Sequence, residues 1–336
     1  MSVPNFFTSD AFNTISLTLG INRIPNMYGR LNELGLFPER GVPTRQIMVE
    51  EMQGVLNLLP TKPVGSPATV GTVGKRKVRS LMIPHIPHDD VVLPEEVQGV
   101  RAFNSENMLE SQAAKMAEKL ANMRNKHAIT LEHLRMGALK GIILDADAST
   151  LYNLYTVFNI TQKVINFEFT DADLEVISVC LSVKRHIEDH LFGEVMTDVR
   201  ALVSPEFYDA LTTHVSVKDA FKFYQQQQNL SGDYRKGFRF GEITFEEYRG
   251  QATDIDGNVR KFIAADEGHA FPMGTQTTFL NYFAPADFNE AVNTIGLPVY
   301  AKQEPRKMGR GWDIHTQSNP LPICHRPEVL VKFTMS

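Results

Sequence analysis

The sequence predicts an α+β protein with long extended excursions, and three observations carry that expectation. Apolar residues at helical spacing mark one long helix beginning near residue 105. A proline-rich stretch of more than thirty residues precedes it with hardly any helical period. Beyond it, helices and short strands are mixed. At 336 residues the chain has room for about two domains or one elaborate domain, and no internal repeat divides it.

The first sixty residues begin with a short helix after Asp10. They pass turns marked by Pro25, Gly29, Gly35, Pro38, Gly41 and Pro43, and reach a strand around Gln46 to Glu50. This reads as an arm rather than a compact unit. From Pro60 to Pro94 lie six prolines, together with Gly65, Gly71 and Gly74. Structureless connections rarely exceed about 12–15 residues inside a compact domain, so this stretch is a functional excursion or a linker. Val78, Leu81, Met82 and Ile83 before its centre, and Val91, Val92, Leu93 and Val97 after it, are too apolar for a solvated linker. The expectation is a long two-stranded hairpin centred on Ile83 to Asp90, "IPHIPHDD". An isolated hairpin is marginal in water, so its apolar face needs a third surface. The arm supplies none.

Asn104-Ser105 is an N-cap signal with Glu106 in the first turn. Leu109, Ala113, Met116, Leu120 and Met123 then recur at steps of four, three, four and three. They form one stripe on a helix of roughly 20 residues, about 30 Å long. Thr130 starts a second helical stretch through Leu131, Leu134 and Ala138, stopped by Gly141. "GIILDADASTLYNLYTVF" reads as a hairpin turning at Asp145 to Thr150. The helix after Thr170-Asp171 carries Ile177, Cys180, Ile187 and Leu191 and ends at Gly193. Ser204-Pro205-Glu206 is a helix start, and Ser216 to Asp219 fits a capping box before "AFKFY". Alternation through Phe238, Phe240, Ile243 and Phe245 gives strands, and Asp256-Gly257 turns a hairpin. Aromatic "TTFLNYFAP", a short helix near Asp287 to Ile295, "LPVYAK" and a closing strand "EVLVKF" complete the chain.

Composition narrows the function classes. Hydrophobic residues make up 43% and charged residues 22%, ordinary for a soluble globular protein. A net charge of -5 argues against a chain that coats nucleic acid. Cys180 and Cys324 are too few for a disulfide framework or a four-cysteine zinc site, and free thiols are expected. The N-terminus lacks a cationic start and a continuous apolar run, and no window approaches a membrane span; a soluble, cytosolically made protein is expected.

Several tempting sites weaken on inspection. Pro84 and Pro87 favour polyproline or β geometry for His85 and His88. A spacing of three is then about 9 Å along the axis, whereas two nitrogens on one zinc are about 3.4 Å apart. Polar side chains flanking a stiff bend are the simpler reading. In "HIEDH", His186 and His190 have the spacing of zinc enzymes, but Ile187 stands where a zincin puts its general base. Both lie on the helix flank and suit a last turn electrostatically. Asp254 to Asn258 resembles a calcium loop without the distal glutamate, and is read as a turn. Lys75, Arg76, Lys77 and Arg79 form a basic run that could touch phosphate, but it reads more simply as a solvated face or one salt-bridged to Glu95 and Glu96 of a neighbour or of the returning strand. No phosphate-binding glycine loop, dinucleotide fingerprint or nucleophile elbow occurs.

The order of parts is arm, proline-punctuated hairpin, long helix, α+β body and closing strand. That order, with the wording of six stretches, resembles the lambda-type phage major capsid protein E family. The stretches are "INRIPNMYGRLNELGLFPERGVPTRQIMVEEMQGVLNLLP", "IPHIPHDDVVLPEEVQGVRAF", "GALKGIILDADASTLYNLY", "FRFGEITFEEYRG", "FPMGTQTTFLNYFAPADFNEAVNTIGLPVYAK" and "QSNPLPICHRPEVLVKF". They run from the arm almost to the last residue.

The resemblance implies the α+β Hong Kong 97-type tailed-phage capsid fold. Its parts would be an N-terminal arm (1–59), an E-loop (60–103) and a peripheral domain with a long spine helix (104–159). An axial domain (160–305) and a C-terminal return to the peripheral domain (306–336) would follow. It implies no enzyme and no catalytic, cofactor or metal site, and no isopeptide-forming lysine, asparagine and acid can be matched. The implied function is a shell subunit of a tailed phage or prophage, self-assembling into pentamers and hexamers around double-stranded DNA without sequence-specific contact. Scaffolding, decoration and portal proteins are the further partners such a subunit would meet, with no membrane. Assembly in the bacterial host cytoplasm and residence in the virion head go with it. Two competing readings stand beside it: a zinc-dependent hydrolase using His186 and His190, and a nucleic-acid-binding module using Lys75, Arg76, Lys77 and Arg79.

Overall fold

The structure, a computed structural model, describes residues 14–23, 29–52, 76–98, 112–228, 235, 237–254 and 256–335. Helices α1 (Thr14–Arg23) and α2 (Arg30–Glu33) lead to strands β1 (Glu39–Gly41), β2 (Gln46–Met52), β3 (Arg76–Met82) and β4 (Ile86–Val92). Helix α3 (Gln112–Lys140) is followed by β5 (Ile142–Leu144), β6 (Thr150–Asn153), α4 (Leu154–Phe158), β7 (Lys163–Asn166) and α5 (Val176–His190). Next come β8 (Asp198–Val203), α6 (Pro205–Thr213), α7 (Val215–Gln228), β9 (Phe238–Phe240), β10 (Ile243–Glu247), β11 (Gln251–Thr253) and β12 (Val259–Lys261). The chain ends with β13 (Glu267–Met273), β14 (Phe279–Phe283), β15 (Tyr300–Pro305), β16 (Trp312–Ser318), β17 (Pro320–Cys324) and β18 (Val331–Thr334).

The body is a six-stranded mixed sheet in the order β7-β18-β13-β8-β10-β9. Pleating sends alternate residues to opposite faces. Phe245 and Phe333 belong to an aromatic layer with Phe167 and Phe207, with ring centroids 4.8 to 6.3 Å apart, which seats α6 on one face. Arg200 and Glu246 are offset by one residue from Ala201 and Phe245, so they face the other way, where Glu246 meets Arg30 of the arm. The closing strand β18 lands in this sheet, parallel to β7 and antiparallel to β13.

Two smaller sheets tie distant parts together. β1 runs parallel to β14, which pairs with β17; β4 and β15 flank β16. α1 and the first half of α3 bury Leu17, Ile21, Met116, Leu120 and Met123 with Val92, Ala301 and Ile314 of that last sheet. This is a core of its own beside the main one.

Several expectations need correction. The expected hairpin of residues 78–83 with 91–97 does not form. β3 pairs instead with β2 (Gln46 opposite Met82, Met52 opposite Arg76), and β4 pairs with β16 (Val92 opposite Trp312). Ile83 to His85 therefore carries the chain from one sheet to another rather than reversing it, and Pro84 brings no backbone donor to either ladder. The two helices expected around residues 105–126 and 130–140 are one, because no proline or glycine interrupts the chain between Met123 and Thr130. Thr130 Oγ1 donates to the Lys126 carbonyl at 2.9 Å from inside the helix, so it is not a cap. The cap expected at Asn104-Ser105 lies outside the described residues.

The hairpin after Gly141 forms, but its second strand stops at Asn153, whose side chain accepts from Thr156 N at 3.3 Å and starts α4. In α5 the buried stripe is Val176, Cys180, Val183 and Ile187, so Ile177, expected inside, is 49% exposed. α6 starts as expected, with Ser204 Oγ accepting from Phe207 N at 3.2 Å. α7 begins one residue before Ser216, and the His214 ring takes the capping role by accepting from Ser216 N at 3.3 Å.

Candidate assembly surface

The β2–β3 ribbon has two unlike faces. Ile47, Val49 and Leu81 are buried in the main core, so the third surface that the apolar face needs comes from the same chain at this end. On the opposite face Met48, Val78 and Met82 are 69%, 54% and 57% exposed. Three large apolar side chains on one short ribbon amount to an uncovered sheet face. The ribbon's root is fixed. Tyr152 Oη accepts from Met82 N at 2.9 Å and donates to Met82 O at 2.8 Å, satisfying both ladder groups of that residue. The Arg79 guanidinium lies 4.8 Å from the Phe158 ring centroid and donates to the Phe158 carbonyl at 3.2 Å.

The stretch Ile83 to Asp90 fastens this root to the body. His85 Nδ1 lies 3.1 Å from Asn319 Oδ1. Lys126 Nζ on α3 donates to His88 Nε2 at 3.1 Å, which requires a neutral imidazole there. Thr316 Oγ1 gives its one proton to the His88 carbonyl at 3.1 Å, so His127 Nε2 must be the donor in its 3.0 Å contact with that hydroxyl. Asp89 pairs with His315, and Asp90 lies 3.4 Å from Lys119 Nζ, which also bonds Glu96 at 2.8 Å. Burial, then Lys126, holds the His88 pKa below its ordinary value. Burial, then His88, Arg124 and His315, pushes His127 down to about 3.

A second anchor, which sequence reasoning missed, holds the arm. Arg30 Nε donates to Glu246 Oε1 at 2.6 Å, and Arg200 Nη1 donates to Glu246 Oε2 at 2.8 Å. Glu132 Oε1 accepts from Leu31 N at 2.8 Å and from Tyr248 Oη at 3.2 Å, and burial raises its pKa. Arg135 donates to Asn32 Oδ1 at 2.9 Å and to Glu39 at 3.2 Å. Gly29 passes directly over this group at φ +106, where a Cβ would stand 2.5 Å from Glu132 Oε2. The glycine was legible as a turn, but its partner lies about a hundred residues away.

The tempting sites resolve into local structure. His186 Nε2 lies 3.0 Å from the Glu328 carbonyl and His190 Nδ1 lies 2.7 Å from the His186 carbonyl, with the rings 4.2 Å apart. Each ring commits one N–H to the backbone around the end of α5. Among the described residues no three His, Cys, Asp or Glu side chains are grouped to hold a metal ion. Asp254 accepts from the backbone of Asp256 and Asn258 and from Arg260, closing the β11–β12 turn. Glu96 is taken by Lys119 rather than by the basic run; Lys75 and the side chains of Arg76 and Lys77 lie outside the described residues. Both cysteines are free and buried, and among the described residues no helix is long and apolar enough to cross a membrane.

Comparison with known proteins gives this surface its context. Residues 13–335 match the family described as phage major capsid protein E. The major capsid protein of Pseudomonas phage KPP10 is 30% identical, over 96% of this chain and 96% of the relative. That of Salmonella phage Felix O1 is 28% identical, over 97% and 95%. In fold, the chain is similar to a prophage capsid protein of Escherichia coli CFT073, with a TM-score of 0.59 at 15% identity, over 96% of this chain and 99% of the other. The Hong Kong 97-type α+β fold expected from the resemblance is therefore present. The hydrolase reading of His186 and His190 and the nucleic-acid module reading of Lys75 to Arg79 both give way. This chain belongs to the phage major capsid protein E family and is a structural protein of the head shell, not an enzyme.

Proposed function

We propose that copies of this chain join as pentamers and hexamers of an icosahedral shell, and that the β2–β3 ribbon is what one copy lays across the next. The uncovered face of Met48, Val78 and Met82 carries this reading. Burying such a side chain contributes about 1.5–3 kcal/mol, less the costs of association and ordering. A contact of this size is weak singly and strong when repeated around a closed shell.

The E-loop then takes in the β2–β3 ribbon and so begins before residue 60, while β4, paired with β16 in the body, falls outside it. The arm is the chain before it, α3 is the spine, and the axial domain lies within residues 160–305. β15 and β16 pair across residue 305 and join β4, so the last crossing of the chain begins before β15, and its final strand β18 rejoins the sheet of residues 163–273. Packaged double-stranded DNA would face a wall without sequence-specific contacts, and the net charge of -5 suits a container from which DNA must move freely. Scaffolding, decoration and portal proteins complete the set of partners, and assembly takes place in the host cytoplasm.

Negative-stain microscopy of the overexpressed protein is the direct test. The parent should give closed shells, tubes or sheets. The triple variant Met48→Asp, Val78→Asp, Met82→Asp should keep the parent's circular dichroism and remain as unassembled subunits. Normal shells from that variant would refute the ribbon's role.

A further inference from the structure

We propose that "IPHIPHDD" and its partners on α3 and β16 form a proton-sensitive clasp, in which charging of His88 and His127 parts β4 from α3. Its geometry leaves no comfortable place for those protons. His88 Nε2 already accepts from the Lys126 ammonium, so a proton there would replace a hydrogen bond with two cations 3.1 Å apart. His127 is buried, 6.3 Å from the His88 ring, and its Nε2 proton is committed to Thr316. Charging both rings would place three positive groups in one seam, with Arg124 a turn away on α3.

The opposing groups are fewer and already engaged. Asp89 pairs with His315, and charging His315 would strengthen that one contact. Asp90 and Glu96 are shared with Lys119. In the opened chain both histidines would titrate near 6.5, whereas the closed seam lowers both, His127 to about 3. The opened state therefore binds more protons, and the clasp weakens as pH falls from about 6.5 toward 3. β4 continues into β3 through Ile83 to His85, so parting it loosens the root of the ribbon; this last step rests on the assembly reading given above.

Trp312, the single tryptophan, stands opposite Val92 at the end of β4 and packs against the smaller core, so its emission reports the seam. The full-length protein, as unassembled subunit and as shells, is titrated from pH 8 to 4. The parent subunit should show a cooperative red shift with its midpoint below 6.5. The variant His88→Gln/His127→Gln keeps hydrogen-bonding groups but cannot charge, and its midpoint should fall by about one pH unit or more. Should that variant fail to fold, Lys126→Met serves instead: without the ammonium, the His88 ring should titrate at higher pH in its proton resonances. Parent emission unchanged to pH 4, equal midpoints in parent and double variant, or an unmoved His88 titration in Lys126→Met would each overturn the clasp. A subunit that opens while its shells stay intact at the same pH would instead count against the ribbon's role in assembly.

Discussion

Glu246 holds two arginines from separate parts of the chain, Arg30 of the arm and Arg200 of β8, and its carboxylate is nearly inaccessible to water. Removing it leaves the Arg200 guanidinium without this partner and Arg30 with only the more exposed Glu33, 2.7 Å away. Breaking a buried pair on one side is costlier than never having built it, so Glu246→Ala should lose about 3 kcal/mol, read as a lower urea midpoint with an unchanged slope. The cysteines make the opposite case. Burial pushes the Cys180 thiol up to about 12 and raises Cys324 as well, so neither forms thiolate near neutrality. Both should resist a thiol reagent in the native protein and react fully once it is unfolded in denaturant. The free thiols were legible from the cysteine count. Glu246 was not, because it reads as one more polar residue in an alternating strand and its partner Arg30 lies 216 positions away.

Elements with local signals were legible to within a residue or two: the Ser204 start of α6, the Asp256-Gly257 hairpin, and the stop of α3 at Gly141, which adopts φ +79. Those decided by distant partners were not. β3 and β4 each look like half of a hairpin with the other, yet their true neighbours are set by residues 46–52 and 312–318. α3 shows how a local cue misleads, since Thr130 has a cap's chemistry while sitting in the middle of a helix. The two descriptions differ in consequence. If one helix ended before Thr130, proline at position 129 would fall outside the next and be tolerated. Inside a continuous helix it removes a backbone donor and clashes with the preceding turn, costing about 3 kcal/mol or more. Ile129→Pro should therefore lower the melting temperature sharply in a circular dichroism scan; a melt like the parent's would restore the two-helix description.

Across the whole molecule, two cores are closed by partners from opposite ends of the chain. In the smaller one, Asn22 Nδ2 donates to Val299 O at 2.7 Å and Thr18 Oγ1 accepts from Ala301 N at 3.2 Å, so α1 is sewn to β15 across almost the full sequence. Leu17 and Ile21 fill the space between that strand and Met116. The main core, which contains Cys180 and Cys324, takes the second half of α3 through Leu134, Met136, Ala138 and Leu139 but nothing from α1 or β15. A charge placed under α1 should therefore detach the helix without unfolding the body, since burying an unpaired carboxylate costs more than the roughly 1.5–3 kcal/mol that burial of each apolar side chain contributes. In Leu17→Asp/Ile21→Asp, Trp312 emission should shift to the red at neutral pH and a hydrophobic dye should bind the bared strand, while both thiols stay protected. Such a subunit carries an exposed apolar patch where a covered one is needed, so it should aggregate or remain unassembled rather than close shells. Parent-like emission with normal shells would mean that α1 is dispensable to the smaller core; reactive thiols would mean that the two cores unfold as one.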